Sequence, residues 1–140
     1  MKQNTLPILV LDSQPYWRDF AAATLRAAGY SVSTLSLYQE ALPPRDEEQD
    51  TFLVLLSCSK IERRERLLIA CLLARGQHVI VFVSSLSTQD MRALFIRGVE
   101  DALDRTYSSE ELVNVVEQAL ERIEMRKHTQ FPVERKVSYE

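Results

Sequence analysis

Residues 52–57 read Phe52-Leu53-Val54-Leu55-Leu56-Ser57, an unbroken apolar run that ends in a serine. A short apolar run without polar alternation is typical of a strand that is covered on both faces of a sheet. Polar residues follow at Ser59 and Lys60, where such a strand would leave the sheet. We therefore predict a central strand over residues 52–56, with Ser57 at its carboxyl end.

Strand-like and helix-like segments alternate on both sides of this run. Four further segments have the apolar or alternating pattern of strands: residues 8–11, 30–35, 78–83 and a brief one near Ala102 and Leu103. Five segments have helical spacing or helix start signals: residues 15–28, 37–42, 62–75, 87–97 and a last helix from Ser108 or Ser109. Four of these helices end at a stop signal: Gly29, Pro43-Pro44, Gly76 and Gly98.

The last predicted helix carries an apolar stripe wide enough to seal one face of a sheet. The stripe has the spacing of one helix face and comprises Leu112, Val113, Val116, Ala119, Leu120 and Ile123. After Met125 the period is lost, and Pro132 interrupts the segment. We therefore predict one domain over residues 1–125 and a C-terminal tail or linker over residues 126–140.

Composition excludes several classes of protein. A chain of 140 residues, 46% of them hydrophobic, is long enough to form its own core without a metal or disulfides. The net charge of −3 gives no electrostatic drive toward nucleic acid or anionic membranes. The chain has neither a bilayer-spanning apolar run nor a signal-peptide pattern, so we expect a cytoplasmic protein.

The usual patterns of metal sites and enzymes are also missing. Cys58 and Cys71 are too few for a disulfide scaffold, and His78 and His128 lack ligand spacing. The three glycines form no phosphate-binding loop, and no nucleophile is placed in the sequence beside a base. We expect no enzymatic activity and no cofactor.

Five successive βα units predict an α/β fold, a doubly wound parallel sheet with helices on both faces. Functional groups of such sheets lie at the carboxyl ends of the strands. Four segments are expected to meet at that edge: residues 12–14, 57–59, 83–85 and 104–106.

Three stretches of this pattern resemble the response-regulator receiver family, the CheY-like domains of bacterial two-component systems. They are Ile8-Leu9-Val10-Leu11-Asp12-Ser13-Gln14-Pro15, the run 52–57, and the segment 98–112, which begins Gly98-Val99-Glu100-Asp101-Ala102. The resemblance extends over about residues 7–125. It implies a flavodoxin-like fold with strand order 2-1-3-4-5 and a role in signal transduction.

The resemblance also implies a phosphorylation pocket, from which this chain departs. The family binds Mg²⁺ with two acids after the first strand and phosphorylates an aspartate after the third. Asp12 matches the first acid, but Ser13 replaces the second and Ser57 replaces the aspartate. A serine cannot form the labile acyl phosphate of a reversible switch.

Three further positions of the resemblance have changed. The family's lysine after the fifth strand is matched by Arg105, a larger planar cation, and its reporter aromatic is matched by Ala102. The family's hydroxyl residue after the fourth strand aligns with Val83, or with Ser84 after a one-residue shift. The degenerate pocket predicted on these grounds comprises Asp12, Ser13, Ser57, Val83, Ser84 and Arg105.

The pocket residues have structural roles open to them beside functional ones. Asp12 either caps the first helix or pairs with Arg105, or it is a weak Mg²⁺ candidate that lacks its second acid. Arg105 either bridges the pocket or binds an anion. Four serines either bond local backbone, line a small-anion site or accept a phosphate from a kinase: Ser57, Ser59, Ser84 and Ser85.

Two neighbouring features are open in the same way. Cys58 is either a packed structural thiol or a redox thiol beside the former acceptor position. The charged run 60–66 is either a solvated helix face or a docking patch in which Arg63, Arg64 and Arg66 meet an acidic partner.

In the receivers that this chain resembles, the fourth helix, fifth strand and fifth helix form a face that binds an output domain or a second copy. The matching residues here are Met91, Phe95, Ala102, Tyr107 and Val115. The leading hypothesis is a pseudo-receiver that signals by protein–protein contact, as a homodimer or through a partner, without Asp phosphorylation, Mg²⁺, nucleic acid or membrane. The alternative is a sensor of a small anionic ligand, or a Ser-phosphorylated module, that uses the serine-lined pocket.

Overall fold

Five parallel strands form one sheet in the part of the chain that the computed structural model describes, residues 6–36, 38–41 and 50–138. The strands are β1 (Ile8–Leu11), β2 (Val32–Leu35), β3 (Leu53–Cys58), β4 (His78–Val83) and β5 (Asp101–Asp104). Their order is β2-β1-β3-β4-β5, and each neighbouring pair is parallel. The predicted α/β, flavodoxin-like fold is confirmed.

Four α-helices follow the strands: α1 (Pro15–Ala27), α2 (Arg63–Ala74), α3 (Thr88–Arg97) and α4 (Ser109–Ser138). Local signals set the bounds of α3 as predicted. The Ser87 hydroxyl accepts a hydrogen bond from the backbone N–H of Asp90 at 3.0 Å, which caps the first turn. Gly98 ends the helix with a left-handed backbone at φ +107°.

The helices divide into two layers, one on each face of the sheet. Side chains of α1 and α4 share one core with alternate residues of the central strands, and side chains of α2 and α3 share the other. The deepest helix residues are Leu25, Leu112 and Val116 in the first core and Ile69, Leu72 and Leu94 in the second. Burial of this apolar area on both faces is the main term that stabilises the sheet.

The register of the strands brings their carboxyl ends to one edge. Leu11 lies opposite Leu56, so Asp12, directly after β1, comes level with Ser57. Val83 lies opposite both Cys58 and Asp104, so the residues after β4 and β5 reach the same edge. The strand ends that were predicted to meet therefore do so.

The segment after β2 differs from the prediction. The predicted helix over residues 37–42 is one 3-10 turn, Tyr38–Ala41, and Leu37, Leu42 and Pro43-Pro44 lie outside the described residues. Since this element is not an α-helix, the helices predicted third, fourth and fifth are α2, α3 and α4.

Two strand bounds also differ. Strand β2 begins at Val32 rather than at residue 30, because the Tyr30 N–H donates to the Leu25 carbonyl oxygen at 3.1 Å and closes the end of α1. Strand β3 continues to Cys58, so Ser57 lies within the strand and not after it.

Helix α4 does not end at Met125. Its backbone is helical through Ser138, which includes most of the segment predicted as a tail. The domain boundary at residue 125 remains a prediction. Among the described helices, none combines the length and the hydropathy needed to cross a lipid bilayer.

Candidate functional site

An open cavity of about 250 Å³ lies at the carboxyl edge of the sheet. Three of the six predicted pocket residues line it, namely Ser13, Ser57 and Arg105. The other lining residues are Gln14, Tyr38, Cys58, Ser59, Lys60, Glu62, Arg64 and Glu65. The cavity is therefore polar and carries charges of both signs.

Asp12 and Arg105 form a buried ion pair at the edge of this cavity. The Arg105 Nη2 lies 2.9 Å from the Asp12 Oδ1, and the two side chains are 12% and 1% exposed. The same carboxylate oxygen accepts the backbone N–H of Gln14 at 2.9 Å, at the start of α1. Asp12 thus pairs with Arg105, one of the roles that the sequence left open to it, whereas the N-cap residue of α1 is Gln14. The Asp12 carboxylate is neutralised by a residue that follows β5.

The Arg105 guanidinium is only partly satisfied by this pair. Its Nε is buried and has no hydrogen-bond acceptor among the described residues. A buried N–H without an acceptor costs about 1–3 kcal/mol, and more on a charged group. The guanidinium of Arg105 thus keeps one buried, charge-assisted donor beside the cavity.

Ser57 and Cys58 are both buried, at 6% exposure each. Burial, followed by the nearby Glu65 carboxylate, raises the pKa of the Cys58 thiol to about 12. A thiol that stays protonated is a poor nucleophile and a poor site of oxidation, since the thiolate is the reactive form. These observations favour the structural role of Cys58.

Two predicted pocket residues lie away from the cavity. Val83 is fully buried in the core under α2 and α3, and its side chain does not line the cavity. Ser84 is exposed after the end of β4, and its backbone N–H donates to the Cys58 carbonyl oxygen at 3.2 Å. The assignment of Val83 to the pocket was wrong, because alternate side chains of β4 point toward opposite faces of the sheet and Val83 points into the core.

A buried acid that the sequence analysis missed lies on the other side of the cavity. Glu65 is 3% exposed and accepts three hydrogen bonds, from the Tyr38 hydroxyl (3.0 Å), the Glu62 N–H (3.0 Å) and the Arg64 Nε (3.4 Å). Burial opposes its ionisation, but these hydrogen bonds outweigh burial and lower the pKa of the Glu65 carboxyl. Burial and Glu65 in turn raise the pKa of the Tyr38 phenol.

Arg64 completes this second cluster. Its guanidinium lies over the Tyr38 ring, 4.9 Å from the ring centroid, while its side chain remains 74% exposed. The sequence contained a signal for the burial of Glu65, since it precedes Leu68, Ile69 and Leu72 at helical spacing. Its charge had placed it on the solvated face instead.

The side chains that line this cavity could bind an anion through their hydrogen-bond donors. Both buried acids are already bound by arginines, at Asp12 and at Glu65, so neither carboxylate is free to hold a hard cation. Within the described ranges, no three His, Cys, Asp or Glu side chains are grouped so as to hold a metal ion. The exposed Lys60 and Arg64 and the serine hydroxyls remain as donors at the cavity wall, and the unpaired Arg105 Nε is buried behind it.

The predicted interaction face is divided between surface and core. On α3, Met91, Phe95 and Ile96 are exposed, at 36%, 45% and 81%. Ala102, by contrast, is 4% exposed and belongs to the core, because the alternation of β5 directs it toward α3. It cannot offer surface to a partner, so its assignment to the face was wrong.

The two remaining residues of that face are half-buried. Val115 packs against the core between α4 and the sheet. Tyr107 packs against Phe82 and Trp17, with ring centroids 5.0 and 6.1 Å away. Burial, followed by the Asp12 carboxylate, raises the pKa of Tyr107 to about 12. The exposed apolar part of this face is therefore α3.

No protein-family model matches the sequence, and a search of curated proteins finds no match either. Solved structures do match. A CheY-like response regulator receiver domain from Methanospirillum hungatei JF-1 is similar over 88% of this chain and 99% of its own, with 18% identity and a TM-score of 0.73. The receiver domain of a putative LuxO repressor protein from Vibrio parahaemolyticus is similar over 89% and 97%, with 13% identity and a TM-score of 0.75.

A third similar structure is part of a longer chain. NtrX from Brucella abortus, solved in complex with ADP, is similar over 90% of this chain but only 28% of its own, with 21% identity and a TM-score of 0.75. Identities in this range show a shared fold and not a shared activity. This chain has the fold of response-regulator receiver domains.

Proposed function

We propose that this protein belongs to the response-regulator receiver family and is a signalling module that acts by binding other proteins, without a switch based on Asp phosphorylation. One observation carries the proposal: Arg105 binds the buried Asp12 carboxylate at 2.9 Å, beside a buried Ser57. In the family that the chain resembles, the corresponding acids bind Mg²⁺ and receive the phosphoryl group. Here a fixed cation neutralises the one remaining acid.

The absence of an acyl-phosphate switch follows from the side chains. A phosphoserine is a stable ester, whereas the family's aspartyl phosphate is a reactive mixed anhydride. Mg²⁺ requires oxygen ligands, and Ser13 leaves Asp12 as a single acid that already has a partner. Metal binding would have to displace Arg105 and leave its guanidinium buried without a counter-ion, which is costly.

The proposed partner face is centred on α3, next to β5 and α4. Contiguous exposed apolar side chains on soluble domains commonly mark interaction sites, and Met91, Phe95 and Ile96 form such a group. Arg92 and Arg97 lie exposed on the same helix. At β5, the Asp101 carboxylate accepts the Ala102 N–H at 2.9 Å, which favours contact through side chains over strand addition.

In its homodimer form, this proposal predicts that Phe95→Asp/Ile96→Asp abolishes self-association in sedimentation velocity. Both side chains are exposed, so the free energy of unfolding should change by less than about 1 kcal/mol. Tyr16→Asp, at an exposed aromatic on α1, serves as the matched control and should self-associate like the wild type. A wild-type chain that stays monomeric at millimolar concentration would contradict the homodimer.

The absence of an Asp switch predicts that Mg²⁺ with beryllofluoride leaves the melting temperature unchanged within about 1 °C, since a ligand that does not bind cannot stabilise. Differential scanning fluorimetry with and without Mg²⁺ and beryllofluoride measures this change in melting temperature. A rise of several degrees that Asp12→Ala abolishes would overturn the proposal.

A second candidate function, the sensing of a small anion, is favoured by Arg105, which lines the cavity with the serines and whose buried Nε has no acceptor among the described residues. Phosphorylation of Ser57 by a kinase is disfavoured, because Ser57 is 6% exposed. Inorganic phosphate without Mg²⁺ forms a further arm of the same melting experiment. A melting temperature that rises with the phosphate concentration would favour the sensor.

A further inference from the structure

The first half of α2 and the loop before it carry an excess of positive charge. Residues 60–66 contain four basic and two acidic residues, a net charge of +2 in a chain whose net charge is −3. Lys60, Arg63, Arg64 and Arg66 are all exposed. One of the two acids, Glu65, is buried and bound within the protein. The basic charge therefore faces solvent while half of the acidic charge does not.

The cations on this helix are largely unused by the protein itself. Only Arg64 of the four forms an ion pair within the described residues, with Glu65. Arg66 donates a long hydrogen bond of 3.4 Å to the Ile61 carbonyl oxygen. Basic side chains that lack internal partners remain available to an external anion.

An exposed apolar side chain lies among these cations. Leu67 is 56% exposed and follows Arg63 at i+4, so the two share the outer face of α2. The opposite face of the helix is buried through Leu68, Ile69 and Leu72. The residues Lys60, Arg63, Arg64, Arg66 and Leu67 together form what we call the α2 basic surface.

The α2 basic surface continues into the cavity at the strand ends. Lys60 and Arg64 line that cavity together with Arg105, whose Nε is buried without an acceptor among the described residues. This orphaned donor is independent of the surface charge, and it also requires an anionic or acceptor group. The volume of about 250 Å³ is sufficient for a carboxylate side chain with water.

We propose that the α2 basic surface binds an acidic segment of a partner protein, with one carboxylate of that segment entering the cavity toward Arg105. An apolar residue of the segment would pack on Leu67 while its acidic neighbours meet the exposed arginines. This site is separate from the α3 face and extends the proposed function to a second partner contact. If the α2 basic surface does not bind the acidic segment, the expected result with Mg²⁺ and beryllofluoride is unchanged.

Protein is favoured over the other polyanions. Nucleic-acid affinity rests on many phosphate contacts, and four cations on a net-acidic chain provide few. Membrane binding by a surface helix requires a broad apolar face, whereas the outer face of α2 has one large exposed apolar side chain, Leu67. A short acidic segment with a single apolar anchor fits both the charge and the size of the surface.

The probe is a fluorescein-labelled peptide of alternating Asp and Glu with one central Leu, titrated with the full chain and followed by fluorescence anisotropy. Arg63→Gln/Arg66→Gln should weaken binding about five- to tenfold at low salt. The matched control is Arg26→Gln/Lys127→Gln, which removes the same charge from exposed positions on α1 and α4, on the other face of the sheet, and should change affinity less than about twofold.

A second pair of variants tests the cavity. Ser59→Glu adds a negative charge at an exposed residue that lines the cavity, and it should weaken the peptide at least about tenfold. Ser31→Glu adds the same charge at an exposed residue before β2, at the opposite edge of the sheet, and should have little effect.

Three outcomes would overturn the proposal. The first is no binding of the peptide at low salt, and the second is equal weakening by Arg63→Gln/Arg66→Gln and by Arg26→Gln/Lys127→Gln. The third is tighter binding of an oligo-dT strand or of phosphatidylserine vesicles through the same arginines, which would assign the surface to nucleic acid or membrane.

Discussion

Ser13→Asp/Ser57→Asp/Arg105→Lys is expected to gain a stabilisation by Mg²⁺ and beryllofluoride that the wild type lacks. The variant restores both acids and the lysine at the positions that match the receiver pattern. A ligand at 100 times its dissociation constant stabilises by about 2.7 kcal/mol, which corresponds to a rise in melting temperature of about 5–10 °C for a domain of this size. Scanning fluorimetry or calorimetry would measure the rise.

The expectation rests on the backbone. The register places Asp12 level with Ser57, and the residue after β5 reaches the same edge through the pairing of Val83 with Asp104. The positions that would carry the added acids and the lysine therefore meet at one edge of the sheet. Without Mg²⁺ the two added carboxylates beside Asp12 repel one another, so the variant should melt below the wild type and recover when metal is added.

The control is Ser13→Asn/Ser57→Asn/Arg105→Lys, which has nearly the same shape but no added charge. It should not respond to Mg²⁺ with beryllofluoride. If Ser13→Asp/Ser57→Asp/Arg105→Lys is folded by circular dichroism and also fails to respond, Ser13 and Ser57 do not occupy the metal and acceptor positions.

Much of the fold was predictable because its signals are local. The apolar run 52–56, the Ser87 cap and the stop at Gly98 each specify an element through nearby residues, and the structure has all three. The turn Tyr38–Ala41 was predicted as an α-helix because apolar spacing over six residues cannot distinguish a 3-10 turn from a short helix. Tyr30 was predicted in a strand because its hydrogen bond to the end of α1 depends on tertiary geometry.

The site was predictable only where the topology of the sheet brings two residues to the same strand ends. The pairing of Asp12 with Arg105, 93 residues apart, was predicted as one of three possible roles because the fold places both at strand ends. The cluster around Glu65 was missed, since it depends on Tyr38 being brought from 27 residues away to share the carboxylate. Ala102 was assigned to the surface by resemblance, which carries no information on which side of β5 this residue faces.

Arg105→Met is expected to be strongly destabilised, by about 3–5 kcal/mol, because it removes the ion-pair partner of the buried Asp12 carboxylate, while Arg18 reaches only the Asp12 backbone oxygen, at 3.2 Å. Methionine fills similar volume, so the loss reflects charge more than packing. Urea titration at pH 7 gives the free energy of unfolding. Arg26→Met is the control. The Arg26 Nη2 donates to the Val32 backbone oxygen at 2.9 Å, but this side chain is exposed, so the substitution should lower the free energy of unfolding by less than about 1 kcal/mol.

The double-mutant cycle with Asp12→Asn separates the ion pair from the residue. Asp12→Asn removes the negative charge that Arg105→Met leaves without its ion-pair partner. The double variant should therefore recover most of the stability lost by the single arginine change. An Arg105→Met variant no less stable than Arg26→Met, or a double variant no better than Arg105→Met, would contradict a coupled pair. A large coupling energy would show that Asp12, after β1, and Arg105, after β5, stabilise the fold as a pair. Metal binding at Asp12 would then have to break this pair, as the proposed absence of a phosphorylation switch requires.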